Sequence, residues 1–210
     1  MEKEIKDTVI KSRSIASCVT TGYRRFTSCF RRIVRQTWLS AVIFAAVYSA
    51  VATWLLLKTE SPLLSLTLLY VGGMAAAVVP AVTGFRRVRR KVFADQGQPL
   101  MKPFALRARH WGLLTAVVLL TLLISAVMAA LLSVPAIIIA LANTQANLST
   151  LWGDAYGMPA YMTWLTALVM LLLGFLLAYV ILAARFPVYF AYGSATAQEQ
   201  ERLDFNKTQQ

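Results

Sequence analysis

Long uncharged stretches rich in apolar residues alternate with short, strongly charged segments along the 210-residue chain. A bilayer core about 30 Å thick is crossed by about 20 apolar residues in a helix. Four stretches meet that length without an Asp, Glu, Lys, Arg or His, namely 37–57, 63–83, 112–141 and 160–184. The pattern predicts an all-α integral membrane protein with four transmembrane helices.

The third stretch is longer than one crossing needs, and Pro135 stands near its far end. Proline removes a backbone donor and disturbs the helix on its N-terminal side. We therefore expect this helix to tilt or to bend at Pro135. Residues 142–159, which follow it, are predicted to form an outer loop.

The 21 lysines and arginines are distributed unevenly around these stretches. Residues 1–36 hold nine of them, the connection 84–111 holds eight, residues 185–210 hold three, and Lys58 is the one on the opposite side. Basic residues are retained on the cytoplasmic side of a membrane. We therefore predict a multi-pass protein of the plasma membrane, the inner membrane of a bacterium, with both termini in the cytoplasm.

The cytoplasmic face predicted in this way is strongly basic. The net charge is +6 over residues 1–36 and +7 over the connection 84–111, and each basic residue near an anionic leaflet contributes about 1 kcal/mol of binding. Because retention of basic residues explains this charge, we expect contacts with anionic lipid and not with nucleic acid. The residues expected to make these contacts are Arg24, Arg25, Arg31, Arg32, Arg35, Arg86, Arg87, Arg89, Arg90 and Lys91.

Apolar residues within the first 36 positions recur at steps of three and four, as on one face of a helix. They are Ile15, Val19, Tyr23, Phe26, Phe30 and Ile33. Arginines occupy the other faces, so this segment is predicted to form an amphipathic interfacial helix. Two positions for its apolar stripe stay open: the headgroup region of the membrane, or a cytoplasmic helix of a partner protein.

The two halves of the chain share an outline. A basic, aromatic lead-in ends at Trp38 at the entrance of the first span and at Trp111 at the entrance of the third, and a proline, Pro80 or Pro187, stands near the end of each pair of spans. We interpret this as two tandem helical hairpins with the same orientation. The predicted organisation is a basic amphipathic segment at 1–36, a four-helix membrane domain at 37–184 and a cytoplasmic tail at 185–210.

Small residues four positions apart recur in the spans, where they allow helices to approach closely in lipid. The pairs are Gly72 with Ala76, Gly73 with Ala77, and Gly174 with Ala178. These pairs predict tight helix contacts, either within the chain or with another subunit.

The sequence contains no recognised catalytic, cofactor or metal-binding motif. A structural zinc site needs four ligands, whereas the chain has one histidine, His110, and two cysteines, Cys18 and Cys29. We interpret His110 as a boundary residue, the cysteines as reduced packing residues, and Asp154 as the one charge in an aromatic outer loop. Hydroxyl side chains in the spans are expected to bond to backbone or to a neighbouring helix.

Two short segments resemble parts of poorly characterised bacterial multi-pass proteins. They are Tyr23-Arg24-Arg25-Phe26 through Arg32 and Trp38 at the front, and Ala184-Arg185-Phe186-Pro187-Val188 at the back. These segments are similar to the membrane domains attached to some glycerophosphodiester phosphodiesterases. The resemblance implies a membrane domain without catalytic residues of its own, and the phosphodiesterase domain has no counterpart in this sequence.

These features favour a non-catalytic scaffold or accessory subunit that binds other membrane proteins or itself and uses no cofactor. Two alternatives stay open. One is an oligomeric transporter or channel component for a lipid or apolar solute, which requires a path lined by hydroxyls such as those of Thr53 and Thr121. The other is a lipid-headgroup enzyme at the cytoplasmic interface that uses His110 and nearby arginines.

Overall fold

The computed structural model describes residues 9–58, 62–92, 111–152 and 159–208. In these residues there are six α-helices and no strand. The helices are α1 (Ile15–Ser28), α2 (Phe30–Lys58), α3 (Pro62–Val92), α4 (Trp111–Leu132), α5 (Val134–Leu151) and α6 (Tyr161–Thr208). Four of them, α2, α3, α4 and α6, are long and apolar enough to cross a membrane. This confirms the prediction of an all-α protein with four candidate spans.

The first two predicted spans lie inside longer helices. α2 already begins at Phe30, and α3 continues through the arginine-rich residues to Val92. Arginine and lysine are good helix formers, so the end of an apolar stretch is not by itself a signal for the end of a helix. Ser14 precedes α1 and accepts a hydrogen bond from the Ser17 N–H, which satisfies one of the free donors at that helix terminus.

The third predicted span, 112–141, differs from the expectation of one bent helix. It is divided between α4 and α5, with Ser133 between them. The Ser133 N–H donates to the carbonyls of Ala129 and Ala130 at 2.9 and 3.2 Å, which closes the last turn of α4. Pro135 then stands at the second position of α5, where a missing N–H costs little because the first turn has no internal partner for it. α5 continues to Leu151, so part of the predicted outer loop 142–159 is helical.

The last helix extends far beyond the predicted boundary at Ala184. α6 runs without interruption from Tyr161 to Thr208, with Pro187 inside it, and so takes in most of the predicted tail 185–210. Small and aromatic side chains just beyond Ala184 explain the difference, because they are packed and not solvated: Phe186, Phe190, Ala191 and Ala195 are each 0% exposed. Tertiary packing, more than intrinsic propensity, stabilises helices in proteins.

The chain divides into two compact units, which we name by their charge. The basic unit comprises residues 1–36, 85–124 and 183–210 and contains every lysine and arginine except Lys58. The apolar unit comprises residues 37–84 and 125–182. The limits fall within α2, α3, α4 and α6, so each of these helices contributes residues to both units.

Each unit has a core of its own. In the basic unit, Cys18 and Val19 of α1 pack with Leu114 and Val117 of α4 and with Ala191 of α6. In the apolar unit, small side chains predominate. Its fully or almost fully buried residues include Ala41, Ala45, Ala52, Ala77, Ala81 and Ala129. Small residues at buried positions permit the close helix approach that stabilises bundles in lipid.

Candidate functional site: a cavity beside Tyr48

Tyr48 of α2 occupies a space that two glycines leave open. A Cβ atom built on Gly73 of α3 would lie 2.7 Å from Tyr48 Cε2, and one built on Gly174 of α6 would lie 2.8 Å from Cδ1. These two ring atoms are on opposite sides of the ring. Phe44, one turn earlier on α2, stacks on Tyr48 with ring centroids 5.9 Å apart. The ring of Tyr48 is therefore held on both edges and one face.

A cavity of about 270 Å³ adjoins Tyr48 in the apolar unit. All of its lining residues fall within the four uncharged stretches of the sequence. They are Tyr48, Leu66, Thr67, Leu69, Tyr70, Met74, Ala129, Ala130, Leu132, Ser133, Ala136, Ile137, Leu173 and Leu177. Small-molecule sites are concave and mostly apolar, with a few placed polar groups, and this cavity has that composition.

Most hydroxyl groups in the cavity wall already donate to backbone carbonyls. The Tyr70 hydroxyl donates to the Ala126 carbonyl at 2.7 Å, the Ser133 hydroxyl donates to the Ala130 carbonyl at 2.7 Å, and the Thr67 hydroxyl donates to the Leu63 carbonyl. Tyr48 differs: its side chain is 9% exposed, and its hydroxyl makes no hydrogen bond within the part of the chain that the structure describes. The cavity thus has apolar walls and one available donor.

The break between α4 and α5 lies in the cavity wall. Leu132 is the last residue of α4, Ser133 stands between the two helices, and Ala136 and Ile137 come from the first turn of α5. Because Pro135 has no N–H, the Leu131 carbonyl lacks the donor that a continuous helix would supply. Non-helical backbone at membrane depth is tolerated where it is buried in protein or lines a cavity, and this break meets that condition.

Other polar side chains of the apolar unit join helices to each other. Ser49 of α2 donates to the Ala167 carbonyl of α6 at 2.6 Å, and Asn143 of α5 donates to the Leu56 carbonyl of α2 at 2.8 Å. Thr166 donates to a carbonyl of its own helix. Thr53 is an exception, since its buried hydroxyl has no partner among the described residues. Most hydroxyls in the spans are therefore structural, as the sequence led us to expect.

The predicted small-residue pairs divide between buried and exposed positions. Gly73 and Ala77 are buried in the apolar unit, as are Gly174 and Ala178. Gly72 and Ala76, on another face of α3, are exposed, and nothing lies within 4 Å of a Cβ built on Gly72. Two of the three pairs thus serve packing within the chain, and the third leaves a small-residue surface on α3 uncovered.

The predicted lipid-contacting residues belong to the basic unit. Six have exposed side chains, namely Arg24, Arg31, Arg32, Arg35, Arg86 and Arg87. Arg25 and Arg89 are half-buried, and the Nε atom of each is buried without a hydrogen-bond partner among the described residues. Arg90 and Lys91 lie in α3, but their side chains are outside the described part of the structure. Contact with anionic lipid stays a prediction for all ten.

A contact that the sequence reasoning missed joins the N-terminal segment to α6 within the basic unit. The Arg13 N–H donates to Ser194 Oγ at 2.9 Å, and the Ser194 hydroxyl donates back to the Arg13 carbonyl at 3.2 Å. The Arg13 guanidinium lies over the Phe190 ring, 5.1 Å from its centroid. A Cβ on Gly22 would lie 2.5 Å from Pro187 N and Cα. The glycines at 22 and 193 were the one signal of this contact in the sequence, because a glycine lets another segment approach its backbone closely.

This contact bears on the apolar stripe of the N-terminal segment. Val19, Phe26 and Ile33 are buried, whereas Ile15 and Phe30 are 39% and 47% exposed. Phe26 meets the ring of Phe186 edge-on at 5.4 Å. Part of the stripe therefore packs against the chain's own last helix, an arrangement that differs from both positions considered from the sequence.

The candidate reactive groups considered from the sequence are the two cysteines, His110 and Asp154. Cys18 is buried, and this burial raises the pKa of its thiol, while the Arg13 charge and a hydrogen bond with Ser194 act in the opposite direction. Cys29 is half-buried, and both thiols are free. His110 and Asp154 lie outside the described residues. Among the residues that are described, no group of three His, Cys, Asp or Glu side chains is placed to hold a metal ion.

Comparison with known proteins finds no family model, no curated protein and no solved structure that matches the chain. The resemblance to phosphodiesterase membrane domains therefore stays a prediction. Inferences about function depend on the geometry of the apolar and basic units alone.

Proposed function

We propose that the protein is a non-catalytic integral membrane subunit, a scaffold or accessory protein that binds another membrane helix through the exposed face of α3. The observation that carries the proposal is the open surface at Gly72 and Ala76, where a Cβ on Gly72 would meet nothing within 4 Å. In lipid, helices associate through close packing at small residues. An uncovered pair of this kind among large apolar side chains fits a docked helix.

The surroundings of this pair support the same proposal. Leu68, Val71 and Val79 on α3 are 50%, 61% and 67% exposed, so larger exposed side chains lie on α3 close to the small ones. In the most apolar 18-residue stretch of α3 only 22% is buried, whereas in the corresponding stretch of α6 50% is buried. Among the four candidate spans, α3 thus has the largest share of its apolar surface available to lipid or to a partner.

We further propose that the basic unit faces the cytoplasm of a bacterial inner membrane, with both termini on that side. The 20 basic residues assigned to the cytoplasm from the sequence are the same 20 that belong to the basic unit. Exposed arginines such as Arg31 and Arg87 would then contact anionic headgroups. The arrangement of the spans as two tandem hairpins belongs to the same proposal.

The test is purification of the tagged protein from its native membrane in a mild detergent, with identification of everything recovered in near-equal amounts. The Gly72→Leu variant is then compared with Gly112→Leu. Both positions are exposed with nothing within 4 Å of a Cβ, so both variants are expected to fold. We expect a stoichiometric partner or a second copy with the wild type and with Gly112→Leu, and loss of it with Gly72→Leu.

Two results would contradict the proposal. One is recovery of the wild type as a monomer without partners, in a detergent that preserves control complexes. The other is a partner that stays bound equally well to the Gly72→Leu variant, because the docking surface would then lie elsewhere.

A further inference from the structure

We propose that the cavity beside Tyr48 binds one hydrocarbon chain that carries a hydrogen-bond acceptor, and that the Tyr48 hydroxyl donates to this acceptor. This inference is independent of partner binding at Gly72, because the cavity and the exposed face of α3 involve different residues. The ligand chemistry has two possible sources: an acyl chain of a membrane lipid, with its ester carbonyl, or a smaller apolar solute with one carbonyl, ester or ether group.

The cavity wall selects for an apolar occupant. Leucine, methionine and alanine side chains form most of it, and the hydroxyls of Thr67, Tyr70 and Ser133 donate to backbone carbonyls. A buried water needs two to four polar partners, and this wall offers one available donor. The single acceptor on a hydrocarbon chain can pair with this one donor. A sugar or a charged headgroup would lose its hydrogen bonds to water without replacing them.

Tyr48 is the group that would orient the ligand. Its side chain is 9% exposed, and its hydroxyl makes no hydrogen bond within the described part of the chain. The ring cannot turn to seek one, since Gly73 and Gly174 enclose its edges and Phe44 covers a face. In the hydrocarbon region of a membrane, a hydrogen-bond donor without a partner is disfavoured. A bound acceptor would remove that cost.

The size of the cavity limits the occupant to one chain. Its volume of about 270 Å³ is close to the lower end of the usual range for small-molecule sites, about 300–1,000 Å³. A two-chain phospholipid would insert one acyl chain and leave the other in the bilayer. Leu132, Ser133 and Ala136 lie at or next to the break between α4 and α5 and line the wall, so the irregular part of the third span lies at the proposed site.

The experiment uses the full chain in lipid nanodiscs and two diazirine probes. In one arm a phosphatidylethanolamine carries the diazirine on one acyl chain. In the other, a diazirine fatty-acid methyl ester is added to nanodiscs of unlabelled phosphatidylethanolamine. After irradiation, cross-linked residues are identified by mass spectrometry. We expect adducts on lining residues such as Met74, Leu132 and Ile137.

Matched variants then test the two features of the site. Tyr48→Phe keeps the ring and its packing but removes the donor, and labelling should fall about fivefold, the loss expected for one neutral hydrogen bond. Ala136→Leu fills the buried wall and should also lower labelling. Ala46→Leu, at an exposed position of α2 outside the cavity, is the control and should label like the wild type. Thermal unfolding of each variant verifies that the fold is intact.

The outcomes separate the sources and can overturn the proposal. Adducts in the cavity with the phospholipid probe identify a membrane lipid as the occupant, and adducts with the methyl ester alone identify a smaller solute. No adduct in the cavity with either probe overturns the proposal. Labelling of folded Tyr48→Phe and Ala136→Leu at the level of Ala46→Leu overturns it as well, because neither the donor nor the space would then matter.

Discussion

Gly73 of α3 lies directly against the ring of Tyr48 on α2: a Cβ atom on Gly73 would be 2.7 Å from Tyr48 Cε2. The ring cannot withdraw, because a Cβ on Gly174 would be 2.8 Å from the opposite ring atom, Cδ1. Three helices therefore meet at one aromatic ring. The two glycines determine how closely α3 and α6 approach α2, and Tyr48 also lines the cavity.

Substitution of Gly73 is expected to destabilise the apolar unit. In Gly73→Ala, one added methyl group meets a ring that is held on its other side, and such overpacking costs about 1–3 kcal/mol of the free energy of unfolding. Gly72→Ala is the matched control, since its Cβ would meet nothing within 4 Å. The measurement is denaturant unfolding in detergent, followed by circular dichroism. Equal stability of the two variants would show that the ring can move aside.

Substitution of Gly22 is expected to loosen α1 in the basic unit. A Cβ there would lie 2.5 Å from Pro187 N and Cα, and these are backbone atoms of a buried helix that cannot shift locally. Gly22→Ala should therefore weaken the packing of α1 on α6, so that the helical backbone at Arg24 and Arg25 unfolds more often and becomes accessible to trypsin. We expect cleavage there at least several-fold faster than in wild type, with Gly112→Ala as the control. Unchanged cleavage would contradict this account.

The hydrophobic pattern predicts the four candidate spans well and the helix boundaries poorly. Runs such as 63–83 are uncharged and long, so a helix able to cross a membrane is visible in composition alone. The continuation of α6 past Ala184 depends on packing of Phe186 and Phe190, and contacts between residues distant in sequence leave no local signal. The division at Ser133 is an intermediate case, because Pro135 indicated a disturbance without distinguishing a bend from a break.

The candidate site was only partly visible in the sequence. Gly73 and Gly174 are recognisable as small residues suited to helix packing, but their shared neighbour is an aromatic ring, and no rule of spacing identifies Tyr48. The sequence alone does not show which of the hydroxyls of Tyr48 and Tyr70 is hydrogen-bonded within the chain. The structure distinguishes them, since Tyr70 donates to the Ala126 carbonyl and Tyr48 has no such acceptor among the described residues.

The two cysteines are expected to differ in reactivity. Burial raises the pKa of the Cys18 thiol, so at neutral pH little of the reactive thiolate forms, and access to the sulfur is blocked as well. Cys29 is half-buried. We expect iodoacetamide at pH 7.5 to modify Cys29 well before Cys18, as measured by mass spectrometry of tryptic peptides. Denaturant should abolish the difference. Faster modification of Cys18 in the folded protein would contradict the packing of α1.

The raised pKa of the Cys18 thiol predicts that the stability of the protein depends on pH. An unfolded cysteine has a pKa of about 8.5, and the folded pKa of Cys18 is higher. Below pH 8.5 both states bind the proton and stability does not depend on this group. Above it the unfolded state releases the proton first, so the free energy of unfolding should fall as pH rises. Unfolding midpoints between pH 7 and 10 test this, and Cys18→Ala should lose that part of the slope.

The proposed orientation predicts which side of the membrane each exposed position faces. In a variant without Cys18 and Cys29, single cysteines are placed at Arg87, in the basic unit, and at Leu151, the last residue of α5; both side chains are exposed. Translocation of the basic unit would carry 20 of the 21 basic residues across the bilayer, which retention of positive charge opposes. In intact spheroplasts, a membrane-impermeant maleimide should therefore label the cysteine at position 151 and spare the one at 87 until the membrane is permeabilised. The reverse pattern would place the basic unit outside the cell and remove the argument for contact with the anionic inner leaflet.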